Sequence, residues 1–528
     1  MKTVYSAEFC AGSYDYRSRG VSVQRAVNLY PEKIEATGGK VQQTLVALQG
    51  LRKLHTELEE IAGVCHGLYQ SSTGYGGVSR LWGVFGSSLY CVYRDQNGAF
   101  VAELAGSVND SNAAIGICDN GFDLVVADGT PGKLKRWNLM SAPGNAMADY
   151  QEILLPKYSH GDDDFDISPT QVVCIAQRFV INGAQDRHGF GLLFYSEPAS
   201  TDFTDSSSGT PVLNFFSAEQ SADKVTALAV CEGNLWVFGP RSYEIWSPSD
   251  SGFLSFVAGS AGEFGAQSRR SVAVLGDTIY WLGASNAGYN AVWAASGVPS
   301  APTRISTNAL EHEIGGFTDR DGAIGMAYSY EGHQFYCLTF PGDRRTFCFD
   351  KSVPAWHERT SRDWAQGENR EWGPRFCANA WGNVVFGMDE DGLFRLDDGL
   401  REDTYVDPDD ADRRFPLFLQ RVSPIYWSDA RSVAIRELLL DCEVGTTPKL
   451  EGQGRVPKVL LEVSTDGGNT WRDCPMRTVG VQGDYKRVIK WRNLGAGSSF
   501  VARMTITEPI PMVIYGLRLT VEERGMSF

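Results

Sequence analysis

The feature that most restricts how this chain can fold is a turn-and-strand pattern that recurs along most of its length. A Gly or Asp-Gly turn is followed by a short run of β-branched or aromatic residues and then by another turn. Antiparallel hairpins are written this way, because a tight hairpin needs φ > 0 at its centre and flat side chains pack well on a pleated surface. The pattern occurs in FGSSLYCVYRDQNGAFVAEL around Gly86, DNGFDLVVADG around Gly121, CEGNLWVFGP around Gly233, LGDTIYWLGA around Gly276, YEGHQFYCLTF around Gly332 and WGNVVFGMDEDGLFRLDDG around Gly382. AQRFVING, near Arg178, is a seventh instance. With 13 Trp, 21 Tyr, 27 Phe and 57 Gly in 528 residues, the composition agrees, and the chain is predicted to be mainly β.

The intervals between turns are irregular but centre on the ~40 to 50 residues of a four-stranded propeller blade, and radial repetition protects sheet edges. The expected architecture is a β-propeller-like domain of six or seven blades over residues 62–400, with a series of β-sandwiches as the competing arrangement. The blades share a pattern and no strict motif, so a WD40 or kelch array is not supported. Residues 157–169 and 196–211, rich in turn formers, read as inserted loops. The acidic, Pro-containing stretch 400–416 reads as a domain boundary. Beyond it, RELLLDCEVG, KVLLEVSTDGG, SSFVARMTITEP and MVIYGLRLTVEE alternate apolar and polar residues, so residues 401–528 are expected to form a β-sandwich-like terminal domain. Residues 1–61 are expected to be an N-terminal docking segment. In it Leu51, Leu54, Leu58 and Ile61 are spaced for a short helix.

A formal net charge of -16 argues against gripping nucleic acid, which needs clustered Lys and Arg to displace counterions. It permits a conduit, since an acidic wall does not adhere to DNA sliding past it. The 11 cysteines form no CxxC pair and fit buried free thiols, hence assembly in a reducing cytoplasm. No apolar run approaches the ~20 residues that cross a bilayer, so membrane insertion is not expected.

Ser464 to Trp471, STDGGNTW, fits the Asp-box pattern, in which the aspartate ties a hairpin turn and the Trp packs beneath it. Sialidases carry several such boxes, but a glycosidase also needs a nucleophile and a paired acid, which nothing here nominates. Histidines stand at 55, 66, 160, 188, 312, 333 and 357 without short metal-ligand spacing. No P-loop or GxSxG elbow is present, so catalysis and cofactor binding are not expected, and GASNAG and GSAGEFG are lone glycine clusters. The DDDFD run lacks the order of a calcium loop and reads as a solvated loop. Lys486, Arg487, Lys490 and Arg492 form a basic cluster that strand alternation would split, with Arg487 opposite the others, and that suits subunit contact.

Four ordered motifs are similar to those of one family, the tail-nozzle or packaged-DNA-stabilisation proteins of short-tailed phages. They are RAVNLYPE (25–32) followed by ALQGLRKL; LWVFGPRSYEIW (235–246) followed by WLGASNAG and RISTNALEHEI (304–314); AYSYEGHQFYCLTFPGDRRTFCFDKSVPAWHERTS (327–361); and YKRVIKWRNLG (485–495). The resemblance implies a non-enzymatic virion tail protein that forms a ring, usually of six copies, beneath the portal and its adaptor or neck protein. It further implies that tail fibres or spikes are neighbours, that double-stranded DNA passes through the lumen without sequence-specific binding, and that inserted loops narrow the exit. Asp162, Asp163, Asp164 and Asp166 are the candidate lumen or gate residues. The alternative from another class is a carbohydrate-active propeller, a tail-associated glycan hydrolase or lectin, motivated by the Asp box and the aromatics.

Overall fold

The computed structural model describes residues 2–7, 9–35, 42–55, 58, 60–109, 115–160, 163–183, 191–205, 212–218, 224–250, 252–284, 290–297, 301–363, 366–407, 410–428 and 432–523. Among them, seven antiparallel blades of four or five strands follow one another between residues 50 and 397, the sixth continuous with a sheet of the terminal domain. The first begins at Cys65–Gln70 and the next five begin at Gly116–Asp119, Val172–Ile175, Ala227–Cys231, Ala273–Leu275 and Ile324–Tyr330. The seventh begins at Pro374–Ala380. These seven leading strands stand side by side in a ring that closes, the last beside the first. The domain is therefore a seven-bladed β-propeller. Gly50–Lys53 closes it, pairing antiparallel with Leu393–Asp397 as the outermost strand of blade 7, so that the final blade is built from both ends of the propeller sequence.

The core is divided in the same way. Each blade buries one face against the next, giving a separate apolar cluster at every junction. Trp82 meets Trp137 between blades 1 and 2, and Trp236 meets Trp281 between blades 4 and 5. The turns that announced the fold lie close to this core. In blades 2 to 7 each of them joins the innermost strand to the second, whereas Gly86 joins the second to the third in blade 1. Three are Gly-containing two-residue turns with both centres at positive φ: Glu232-Gly233, Glu331-Gly332 and Trp381-Gly382.

Two expectations are corrected. Leu51, Leu54, Leu58 and Ile61 do not share one helix: Leu51 lies in the closing strand, paired with Leu396, and the others, Leu58 in a 3-10 turn, are buried between blades 7 and 1. Their spacing is helical, but pairing with a blade edge outweighs a propensity too short to propagate. The first residues do not stand apart as a docking segment either. Lys2–Ala7, Leu29–Lys33 and Gln43–Ala47 enter one sheet of the terminal domain, and Tyr14–Asp15 and Val23–Val27 enter the other. Pairing with strands some 400 to 500 residues away leaves no local mark on the sequence.

The terminal domain is a sandwich. One sheet is built on Val433–Cys442 and Val513–Glu523, the other on Leu419–Val422, Ser499–Ile506 and Lys458–Ser464. Between them lie Leu45, Ile435, Leu438, Leu461, Trp491, Met504 and Ile514. The acidic 400–416 stretch is a ribbon, Glu402–Asp407 against Asp410–Pro416, leading from one domain to the other.

Trp356 is buried at 5% exposure and donates from its ring nitrogen to the Ile305 carbonyl at 2.8 Å. Trp246 is only half-buried at the edge of the cluster between blades 3 and 4. Trp356→Ala is expected to cost about 3 to 5 kcal/mol and Trp246→Ala clearly less, as read from chemical denaturation midpoints.

Candidate assembly surfaces and the junction of the two domains

The residues of the first and third motifs meet at one place. Val23–Val27 of the sandwich lies beside Ala355–Glu358, the outer strand of blade 6, with Val27 opposite Glu358, so one sheet runs from the blade into the sandwich. Arg25 donates from Nε to Glu358 Oε1 at 2.8 Å, and Arg345 donates to Glu358 Oε2 at 2.8 Å. Asn28 holds a left-handed φ of 52°, which Asn tolerates better than most residues. Its amide donates to the carbonyls of Thr360 at 2.9 Å and Phe418 at 3.0 Å, and its oxygen accepts from the Thr360 N–H at 3.0 Å. Tyr30 packs edge-on against His333 and Phe335. Arg421, wholly buried, donates to the carbonyls of Phe9, Gly12 and Arg25. The motifs thus encode a weld between the domains.

Burial alone would push the Glu358 carboxyl up, but the Arg25 and Arg345 guanidiniums outweigh it and hold it at about 2. Burial, with Arg359 and His333 beside it, keeps the His357 imidazole well below its ordinary value and so neutral. The hydrogen bond to Asp350 raises His333 despite its burial. Glu358 therefore stabilises the fold fully above its unfolded value near 4.5 and loses that contribution as the pH falls toward 2. Once the pH drops below about 6.5, His357 adds a cost, because the unfolded chain takes its proton first. His333 acts in the opposite sense, contributing most below about 6.5 and less as the pH rises through its raised value. The melting temperature of the native protein is expected to fall between about pH 5 and pH 3, while Glu358→Gln begins lower and changes less over that window.

The other candidates lie apart. Asp162 and His188, and residues 285–288 of the GASNAG cluster, are outside the described residues. Asp163 lies in a two-stranded ribbon, Tyr158–His160 against Asp163–Phe165. In that ribbon Asp164 is exposed and accepts from Ser159 Oγ at 2.5 Å, and Asp166, just beyond, is exposed too. Tyr158 anchors the ribbon on Phe194 and Phe215 of blade 3, so these acids sit toward the propeller's rim. Asp466 ties its turn as the Asp-box pattern predicts, accepting from Thr470 Oγ1 at 2.6 Å and from the Asn469 and Thr470 N–H groups. Trp471 lies under Arg503, 4.2 Å from the ring centre. The box holds a hairpin.

The basic cluster differs from its expectation. Lys486 and Arg487 are in a turn before the strand Ile489–Arg492, so strand alternation does not govern them. Arg487 pairs with Asp484, and Arg492 with Glu437. Around them sequence reasoning missed an apolar surface: Met476, Val481, Tyr485 and Val488 are 58%, 44%, 68% and 60% exposed. It lies where the edge strands of the two sheets, Arg472–Thr478 and Ile489–Arg492, run together, joined by Arg477 Nε to the Lys490 carbonyl. A cleft of about 480 Å³ opens between blades 6 and 7, lined by Tyr330, Glu331, Asn379, Asn383 and Arg395. Gln49 already occupies the Glu331 carboxylate at 3.0 Å. Among the described residues no group of three His, Cys, Asp or Glu side chains could hold a metal ion, and no helix is long and apolar enough to cross a membrane.

A seven-bladed propeller welded to a sandwich by residues of two of its four motifs, with an apolar sandwich edge, defines a two-domain β protein. The chain belongs to the bacteriophage P22 Gp10 family: residues 8–398 match its β-propeller and residues 419–522 its β-sandwich. It is thus a short-tailed-phage tail and DNA-stabilisation protein, a structural component of the virion tail. No curated protein matches the chain significantly. Among solved structures it is similar to virginiamycin B lyase from Staphylococcus aureus, at 10% identity over 66% of this chain and 98% of that one, with a TM-score of 0.40. It is also similar to the N-terminal domain of Nup159, at 9% identity over 70% and 98%, with a TM-score of 0.38.

Proposed function

We propose that this protein is the nozzle subunit of the short tail. Copies close into a ring, six by the resemblance, beneath the portal and its adaptor; the ring shuts the DNA exit until infection and then guides ejection. The observation that carries this reading is the weld between the domains, because a subunit that must hold pressurised DNA has to transmit load from its docking domain to its wall without a hinge. The apolar sandwich edge is where neighbouring subunits meet. It presents exposed Tyr and Met, residue types favoured in interface cores, beside the edge strands of both sheets. Double-stranded DNA passes without adhesion, consistent with the net charge of -16. The ribbon at Asp163 and Asp164, with Asp166 just beyond it, is the candidate gate segment, since an acidic stretch repels phosphates. Assembly takes place in the host cytoplasm, and tail fibres or spikes are neighbours in the finished tail.

A second reading, glycan binding without catalysis, has the cleft beside Glu331 in its favour. The discriminating experiment adds purified protein to DNA-filled heads that carry the neck but lack this component, then measures the DNA left inaccessible to nuclease. Retained DNA supports the nozzle. Unchanged leakage, together with binding of the protein to host polysaccharide, supports the second reading.

A further inference from the structure

We infer that Cys337 and Cys348 form a redox-active dithiol that closes to a cross-strand disulfide when the protein meets a peroxide. Cys337 lies on His333–Phe340 and Cys348 on Arg345–Asp350, the two central strands of blade 6, directly opposite each other in register. Directly opposed residues of an antiparallel pair have Cα atoms about 4.5 to 5.5 Å apart, within the span a disulfide bridges. The two sulfurs are 2.8 Å apart, placed so that either can donate its hydrogen to the other, and both side chains are fully buried.

What lies beside the pair gives it chemistry. Arg359 is fully buried with its guanidinium over the rings of Phe335 at 4.5 Å, Trp372 at 4.7 Å and Tyr328 at 5.5 Å. Its hydrogen bonds go to the Tyr328 hydroxyl and to His357 Nε2, neither a carboxylate, and its Nη2 is buried without a partner. The groups beside it whose ionised forms would favour this cation are Cys337, Cys348 and Tyr328, and burial keeps the Cys348 thiol and the Tyr328 hydroxyl protonated. A buried cation needs an anion nearby, and a thiolate sharing its neighbour's proton supplies one. Burial pushes both thiols up, and the Cys348 hydrogen bond together with Arg359 brings Cys337 back below its ordinary value. Cys377, on the inner strand of blade 7, stays protonated, pushed up to about 12 by burial.

Cys337 is therefore the attacking sulfur. Its thiolate forms an S–O bond with hydrogen peroxide as the O–O bond breaks, and the leaving hydroxide takes up from solvent the proton that Cys337 gave up on ionising, giving water. The sulfenic acid so formed is attacked by the Cys348 sulfur: the S–S bond forms, the S–O bond breaks, and a second water carries away the thiol proton. Two thiols and one peroxide become one disulfide and two waters. Peroxide is small enough to reach a buried pair that a bulky disulfide would not reach. The product staples the centre of the blade that is continuous with the sandwich.

The test treats the folded protein with millimolar hydrogen peroxide, quenches with an alkylating reagent and maps peptides without reduction. The expected result is one peptide pair joining Cys337 to Cys348, reversed by dithiothreitol, with the other cysteines still alkylated after unfolding. In Cys348→Ser a sulfenic acid is expected to be trapped at Cys337 by dimedone, and Cys337→Ser should give neither product. The inference is overturned if urea-unfolded protein oxidises its thiols under the same treatment while the folded protein yields neither the linked peptides nor the trapped Cys337.

Discussion

Replacing Glu358 by alanine is expected to lower the unfolding free energy by about 3 kcal/mol and to split a single melting transition into two. Glu358 is 3% exposed and pairs with both Arg25 and Arg345, so its loss takes from Arg25 its carboxylate partner at the junction, while Arg345 keeps Glu313 at 2.5 Å. Removing one partner of a buried ion pair costs about 3 to 5 kcal/mol. The low end applies because the arginine side chains are 31% and 28% exposed and can regain water. Two transitions follow if the weld is what makes propeller and sandwich unfold together. Scanning calorimetry reads both effects, and Glu358→Ala melting in one unshifted transition would contradict the weld.

The second large effect concerns assembly and leaves the fold alone. Tyr485→Asp combined with Val488→Asp is expected to abolish ring formation while changing stability by no more than about 0.5 kcal/mol, since exposed positions carry little folding energy. Buried carboxylates at the centre of an interface would be unpaired and costly, and Tyr is a residue type that often carries a large share of binding energy. Light scattering on the double variant, with its melting temperature as the control, distinguishes loss of assembly from loss of fold.

How much of this was legible in the sequence depended on how local each feature is. The two-residue turns at Gly121, Gly233, Gly276, Gly332 and Gly382 marked inner hairpins of blades, because a hairpin is specified by adjacent residues. The mainly β class and the order of propeller before sandwich followed from the same signals. The closing strand Gly50–Lys53 did not, since only the distant Leu393–Asp397 makes it a strand. The motifs at Arg25, Asn28 and Glu358 were recognisable in order, yet nothing in one dimension says that residues more than 300 apart share an ion pair. The apolar edge was hidden for a different reason. YKRVIKWRNLG reads as an alternating strand, and only the turn through Lys486 and Arg487 brings Tyr485 and Val488 into solvent. The Cys337 and Cys348 pair carries no spacing signature, because opposition across a hairpin depends on register.

The measurement that tests the nozzle reading most directly is the mass of the purified protein, alone and with its neck components, followed by electron-microscope class averages. The account predicts a ring with an axial hole, formed alone or upon the neck. A stable monomer or trimer that ignores the neck and binds host polysaccharide would contradict it.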